Sequence, residues 1–353
     1  MVATTAACSL LTSFEGFDHP KGAAVTDAGA AGDAAPEDTC FRRRWPAPPA
    51  GGSSADLGPM VAALSSMKTI NETGFPYGFD LDGLCSCPEK VACLGSKPNL
   101  PCDPTDSGID NVASDLFFFF SKATKTSLDE SGLRLGLDRG KFSVLFRLAG
   151  WNGEPDDPDV SLQVLNAFDA NPGTDAGARF DGNDQWIVDT ASLVSGIPVQ
   201  PVTKAYVAGG KLVAEMPTLT FKARIPTVGD KWLLIRVVLR DVHLTATIAK
   251  KGASFTLSDG ELGGRSPSAE LFTLAMYLGA CPGGVAFDSM KPILCDARDL
   301  PIDPAKDGRD FPCDAISVGV AFEASPAAVA PGDAGTPDDP FPCVDASLPY
   351  DCQ

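Results

Sequence analysis

The sequence predicts a mainly β protein: an antiparallel β-sandwich or jelly-roll-like domain with a few short helices and a small disulfide-rich N-terminal module. Three observations predict it. The 35 Gly and 30 Pro among 353 residues are too many for an all-helical chain, because these two residues are the poorest helix formers. From Leu133 onward apolar residues alternate with others along successive stretches, the period of a strand with one buried face. Short polar connections separate those stretches, as in antiparallel meanders.

Residues 1–39 read as a signal remnant and a low-complexity tether. Positions 21–39 are mostly Ala, Gly and Asp, too poor in large apolar side chains to offset the entropy of ordering the backbone. Residues 40–104 form the cysteine-rich module, opening with Cys40-Phe-Arg-Arg-Arg-Trp45. Within it Pro59 starts a predicted helix, with Met60, Ala63, Leu64 and Met67 on one face. Asp110 caps a second helix running to Ser121, and the run Phe117–Phe120 belongs to its buried side.

The β domain spans 105–323. Phe142, Val144, Phe146 and Leu148 predict its first strand, and Val160, Leu162 and Val164 the next. Residues 205–214 carry a hairpin around the turn Gly209-Gly210. Leu219 to Ile225, Leu233 to Leu239, Val242 to Ile248 and Phe255-Leu257 continue the alternation. A helix interrupts it over 266–278, with Ser266 as its cap and Pro267 in the first turn. A strand from Ser317 to Phe322 returns to the sheet, and residues 324–353 form a Pro-, Ala- and Asp-rich tail with a cysteine pair.

A net charge of −18 excludes nucleic acid, whose binding requires clustered Lys and Arg. No stretch approaches the roughly 20 apolar residues of a spanning helix. Phosphate-binding loops, the Gly-x-Ser-x-Gly elbow and the His-Glu-x-x-His zinc motif are all absent. Of the 11 cysteines, Cys8 stands apart and leaves an even set: Cys40, Cys85, Cys87, Cys93, Cys102, Cys281, Cys295, Cys313, Cys343 and Cys352. The 85–102 spacing lacks paired C-x2-C, and no histidine lies near it, which favours disulfides over zinc. Those four cysteines are expected to bridge among themselves or to Cys40. Bridges of this density belong to an exported protein.

Candidate site residues come from loops. Asp103, Asp106 and Asp110 are spaced at intervals of three and four, and Asp156, Asp157 and Asp159 crowd a second acidic loop; both offer oxygen ligands to Ca2+. Neither matches the helix-loop-helix calcium pattern, and solvated Asp turns are the plainer reading. Trp151 and Trp186 border acidic loops, an arrangement that stacks and hydrogen-bonds sugars, although Trp also fills sandwich cores. The enzyme alternative is thus a carbohydrate-active protein using loop carboxylates around these two rings, with no catalytic pair assignable. His243 reads as an ordinary strand residue.

Two resemblances complete the reading. Thr5-Ala6-Ala7-Cys8 is similar to the end of a bacterial lipoprotein signal, in which the cysteine is lipidated. The basic and long apolar regions of such a signal do not precede it, so the expectation is a start further upstream or a signal lost. Gly78-Phe-Asp-Leu-Asp-Gly-Leu-Cys85-Ser-Cys87, Gly108-Ile-Asp-Asn111, Gly150-Trp-Asn-Gly153 and Cys313-Asp-Ala-Ile-Ser317 resemble strings in a set of uncharacterised exported bacterial proteins over about residues 40–323. These resemblances imply an exported protein of the outer membrane or periplasm, lipid-anchored at Cys8. Its β domain would serve a binding or structural role, with the membrane, a glycan or another envelope protein as partner.

Overall fold

The computed structural model describes residues 44–51, 55–69, 77–84, 93–94, 108–114, 116–117, 130–174, 176–195, 197–227, 231–308, 310–331, 343 and 352. The mainly β class holds. Strands β1 (Met60–Lys68), β2 (Phe142–Ala149), β3 (Ser161–Ala170) and β4 (Gln185–Val188) come first. The hairpin β5 (Leu193–Val194) and β6 (Ile197–Pro198) follows, then β7 (Lys204–Ala208), β8 (Lys211–Pro226), β9 (Trp232–Lys251), β10 (Ser254–Pro267), β11 (Ala315–Pro326) and β12 (Ala328–Val329). Helix α1 (Glu130–Asp138) precedes β2, and α2 (Ser268–Tyr277) and α3 (Val285–Asp296) follow β10.

Ten of the strands form a single sheet in the order β12-β4-β3-β2-β1-β11-β10-β9-β8-β7. That sheet curls until distant members meet. Val207 of β7 exchanges both backbone hydrogen bonds with Asp157 at 2.8 Å, antiparallel, and Val160 donates to Ala205 at 3.1 Å. Residues 157–160 lead directly into β3, so β1-β2-β3-β7-β8-β9-β10-β11 is a closed up-and-down ring of eight antiparallel strands. The sandwich expected from the alternation is thus replaced by one sheet rolled on itself. Alternation reports which face is buried and is the same for both arrangements.

Where β3 and β8 diverge beyond backbone reach, side-chain amides continue the seam. Asn166 donates to the Thr220 carbonyl and accepts from the Lys222 N–H, both at 2.9 Å. Gln200 accepts from the Thr220 N–H at 2.9 Å and donates to its carbonyl at 3.2 Å. An amide side chain carries the same donor and acceptor as a peptide, so it satisfies an edge that would otherwise be exposed.

The long strands carry their own phase changes. Leu212, Ala214 and Met216 of β8 face inward at even positions, and Leu219, Phe221, Ala223 and Ile225 at odd ones. On β9 the phase shifts in the opposite sense, from Leu233, Ile235, Val237 and Leu239 to Val242, Leu244, Ala246 and Ile248. Asp241, with φ of 48°, lies at the switch, and Asp259, with φ of 47°, lies at the register shift in β10. Each bulge turns the following residues over without breaking the ladder. The separate short strands predicted over 219–225, 233–239 and 242–248 are therefore segments of β8 and β9.

Other sequence expectations are corrected. The helix expected after Pro59 is β1, an inner strand between β2 and β11, so residues 60–68 of the expected cysteine-rich module build the barrel itself. Ser266 lies within β10, which runs to Pro267, rather than capping a helix, and α2 starts after Pro267 with no side-chain cap. Helix α3 was missed, since Pro292 and the surrounding cysteines masked its pattern. Of the helix expected from Asp110, residues 113, 114, 116 and 117 are helical, and Phe118–Ser121 lie outside the described residues.

Among the described residues, three disulfides join distant segments: Cys93–Cys313, Cys281–Cys343 and Cys295–Cys352. Cys93 therefore pairs outside the 85–102 group, contrary to expectation. Cys8, Cys40, Cys85, Cys87 and Cys102 lie outside the described residues. The two tail cysteines pair with Cys281 in the α2–α3 connection and Cys295 of α3, and the Phe272 and Phe287 rings of these helices pack 5.8 Å apart. Closing loops of these lengths is worth on the order of 4–5 kcal/mol per bridge in the chain-entropy account.

Candidate functional site

Inward-facing side chains fill one end of the barrel densely. At that end Leu148, Leu212, Ala246 and Leu257 are almost wholly buried. The other end, formed where β1 and β8 finish and β9 and β11 begin, is different. There a void of about 80 Å³ is lined by Leu64, Val144, Phe146, Val237, Leu262, Phe322 and further apolar side chains. Among the described residues, Thr69 is the single lining residue with a side-chain oxygen, and none that lines the void is charged. Phe221, Val237 and Val320 line it and are half-buried.

Helix α1 lies over this end. Its Leu133 lines the void and its Leu137 is fully buried. Gly136 lets the helix approach closely: a Cβ there would stand 2.5 Å from the Arg224 carbonyl and 2.6 Å from the Phe142 ring. At its N-terminus the Glu130 carboxylate accepts the Thr69 N–H at 2.8 Å, tying the helix to the end of β1. Phe117 also lines the void. At 24 cal/mol per Å³, a void of this size leaves roughly 2 kcal/mol of packing unrealised. An apolar guest recovers that, whereas water finds almost nothing to hydrogen-bond.

A second feature lies on the outer surface, around Arg265. This guanidinium is fully buried and holds Asp307 through both terminal nitrogens, at 2.5 and 2.7 Å. It also donates to the carbonyls of Pro301 and Leu81 at 2.8 Å, and its Nε lies 3.3 Å from Asp241. Burial works against the charge on Arg265, but Asp307, Asp241 and Asp110 together push its pKa up. Burial likewise tends to raise Asp241, yet His243 and Arg265 hold it below the usual carboxylate range. His243 in turn stacks on Trp45 with ring centroids 3.8 Å apart. This network joins loop 77–84 to β9 and β10, as a structural knot.

Of the calcium candidates, Asp103 and Asp106 lie outside the described residues. Asp110 does join Asp80 and Asp82, with carboxylate oxygens within 4.8 Å of one another, a group that could hold a cation. Two of its carboxylates are engaged in loop building, however: Asp110 accepts the Leu81 N–H at 2.6 Å and Asp82 accepts the Leu84 N–H at 2.7 Å. In the second loop Asp156 accepts from Gly209, and Asp157 from Asn152 and Asp159, at 2.8 to 3.3 Å. Those carboxylates shape the turn that closes the barrel instead of converging on an ion.

The sugar-stacking expectation is also corrected. Trp151 is 3% exposed and donates to the Glu154 carbonyl, and Trp186 is 0% exposed. Trp186 packs with Ala63, Leu145 and Leu165 on the outer face of β1–β3. Neither ring is available to a ligand. Sequence reasoning missed the void because its lining comes from many separate elements, and each residue reads as ordinary core.

Fold and site together define a class: an up-and-down antiparallel barrel of eight strands with an apolar void at one end. No family model, no curated protein and no solved structure matches the chain.

Proposed function

We propose that this chain is an exported, lipid-anchored envelope protein whose barrel binds a small apolar molecule. The observation that carries the reading is the void beneath α1, bounded by apolar side chains in a barrel of the strand number that just accommodates one small ligand. Export is supported by three long-range disulfides, which persist in oxidising compartments. Anchoring is supported by Cys8 and the small residues before it.

Xenon is a small apolar probe that enters such spaces without hydrogen bonds. Xenon-129 NMR on the folded full chain should show saturable binding, and the void-filling Val237→Phe variant should abolish it. Absence of saturable xenon binding to the folded protein would remove the ligand reading.

A further inference from the structure

We infer that the barrel carries a second ligand site, at the end opposite α1, which takes a small organic monoanion: a carboxylate or phosphate-type oxyanion on a compact apolar body. Arg147 and Lys251 hold the oxyanion. The inference stands on residues separate from the apolar void and does not depend on that reading.

The site is a surface cleft of about 710 Å³, within the usual range for clefts that take small molecules. It lies where β1 and β10 begin and where β2, β9 and β11 end. One carbonyl organises it. Val61 of β1 accepts from the Ser254 hydroxyl at 2.6 Å and from the Ala327 N–H at 3.1 Å, which ties the β9–β10 turn and the β11–β12 link to the same point. Arg147 is the cross-strand partner of Val61, and Lys251 is that of Ser254. Both cations thus line one cleft from strands that meet at Val61. Pro326, Ala327 and Val329 supply apolar surface beside them.

Charge sets the ligand. The chain carries a net charge of −18, and Arg134, Arg224, Arg236 and Arg265 each hold a carboxylate. Among the described residues, Arg147 and Lys251 line the cleft without holding one. Asp181 is the only carboxylate among the described residues that line it, and its Oδ1 accepts the Asn183 N–H and side-chain amide at 3.0 and 3.2 Å. Two cations against one carboxylate leave a single positive charge, which a monoanion neutralises. Cleft walls of low dielectric focus that field, and a guanidinium fork matches the paired oxygens of a carboxylate or phosphate. The ligand is a free molecule rather than a lipid headgroup, because an anionic bilayer repels a protein of this net charge.

Calorimetric titration of the full chain at low salt with phenylacetate, benzylphosphonate, 2-phenylethanol and phenethylammonium tests this. Phenylacetate or benzylphosphonate should bind one-to-one and about ten-fold more tightly than 2-phenylethanol, and phenethylammonium should not bind. Arg147→Gln and Lys251→Gln should each weaken the anion about ten-fold with an unchanged thermal midpoint, since both side chains are exposed. Anion binding retained by the double variant, or lost in folded Val237→Phe protein, would overturn the site. Equal binding of 2-phenylethanol would overturn the oxyanion assignment. Absence of saturable binding by either anion would overturn the inference while leaving xenon binding, and with it the reading of the void, untouched. Sedimentation of Cys8→Ser protein with phosphatidylglycerol vesicles, abolished by Arg147→Gln, would assign the oxyanion to a lipid and overturn the free ligand.

Discussion

Asp299 shows how one carboxyl at a strand junction can leave a mark on the whole stability curve. Burial pushes its pKa up to about 6, against the opposing hydrogen bonds from the Ser317 hydroxyl and N–H. A carboxyl raised above its unfolded value of 3.8 binds its proton more tightly in the native state. Its contribution to stability is therefore fully present below that value and is lost as pH rises towards about 6. Asp299→Asn should remove that slope and leave the variant more stable than wild type at pH 7, by on the order of 2 kcal/mol. Urea titrations at pH 4, 5, 6 and 7 measure it. A wild-type stability slope retained by the variant between pH 4 and 6 would assign the slope to other groups. Arg265 is the contrasting case, a charge that remains ionised because Asp307 and Asp241 surround it. Removing either side of such a cluster leaves an uncompensated buried charge.

At the scale of elements, close backbone approach decides where glycine is required. Residues 77–78 cross β11 at Gly319, where a Cβ would fall 2.0 Å from the Tyr77 carbonyl. Asn111 stitches the crossing by donating to the carbonyls of Tyr77 and Gly319, both at 2.8 Å. Gly319→Ala should therefore lower stability by about 2–3 kcal/mol, the usual cost of forcing atoms into a packed contact. Chemical denaturation with unchanged slope would measure that loss, and a loss below about 0.5 kcal/mol would show that the crossing strand is free to shift. The same scale explains why β1 reads as a helix. Met60, Ala62 and Leu64 face the barrel core, while Ala63 packs beneath Trp186 on the outside. A strand buried on both faces loses its alternation, and the apolar positions that remain fit a helical spacing by coincidence.

For the whole molecule, the seam between β3 and β7–β8 holds the ring closed, and the proposed attachment to a membrane rests on one residue. No helix among the described residues is long and apolar enough to cross a membrane, and a net charge of −18 repels anionic lipid. When the protein is expressed behind a complete lipoprotein signal, Cys8→Ser should shift it from the membrane pellet to the soluble exported fraction. Multiple acyl chains on one cysteine retain a protein that a single short chain would release. Variant protein that still sediments after a high-salt wash would place the anchor elsewhere.

The sequence by itself determined the β class, the Gly209-Gly210 hairpin, the inward faces of most strands and the assignment of cysteines to disulfides. These are local signals, in which period, turn chemistry and composition act over a few residues. The break in alternation between Leu239 and Val242 reads in the sequence as a boundary between two strands, and the alternation reads as ending at Leu257. Only the tertiary structure decided that the sheet closes through Asp157 and Val207, that Cys93 reaches Cys313, and that Trp151 and Trp186 are buried. It alone decided that α1 stands over an apolar void. Each of these depends on residues far apart in the chain, and alternation along a strand shows that one face is buried without showing what lies opposite it.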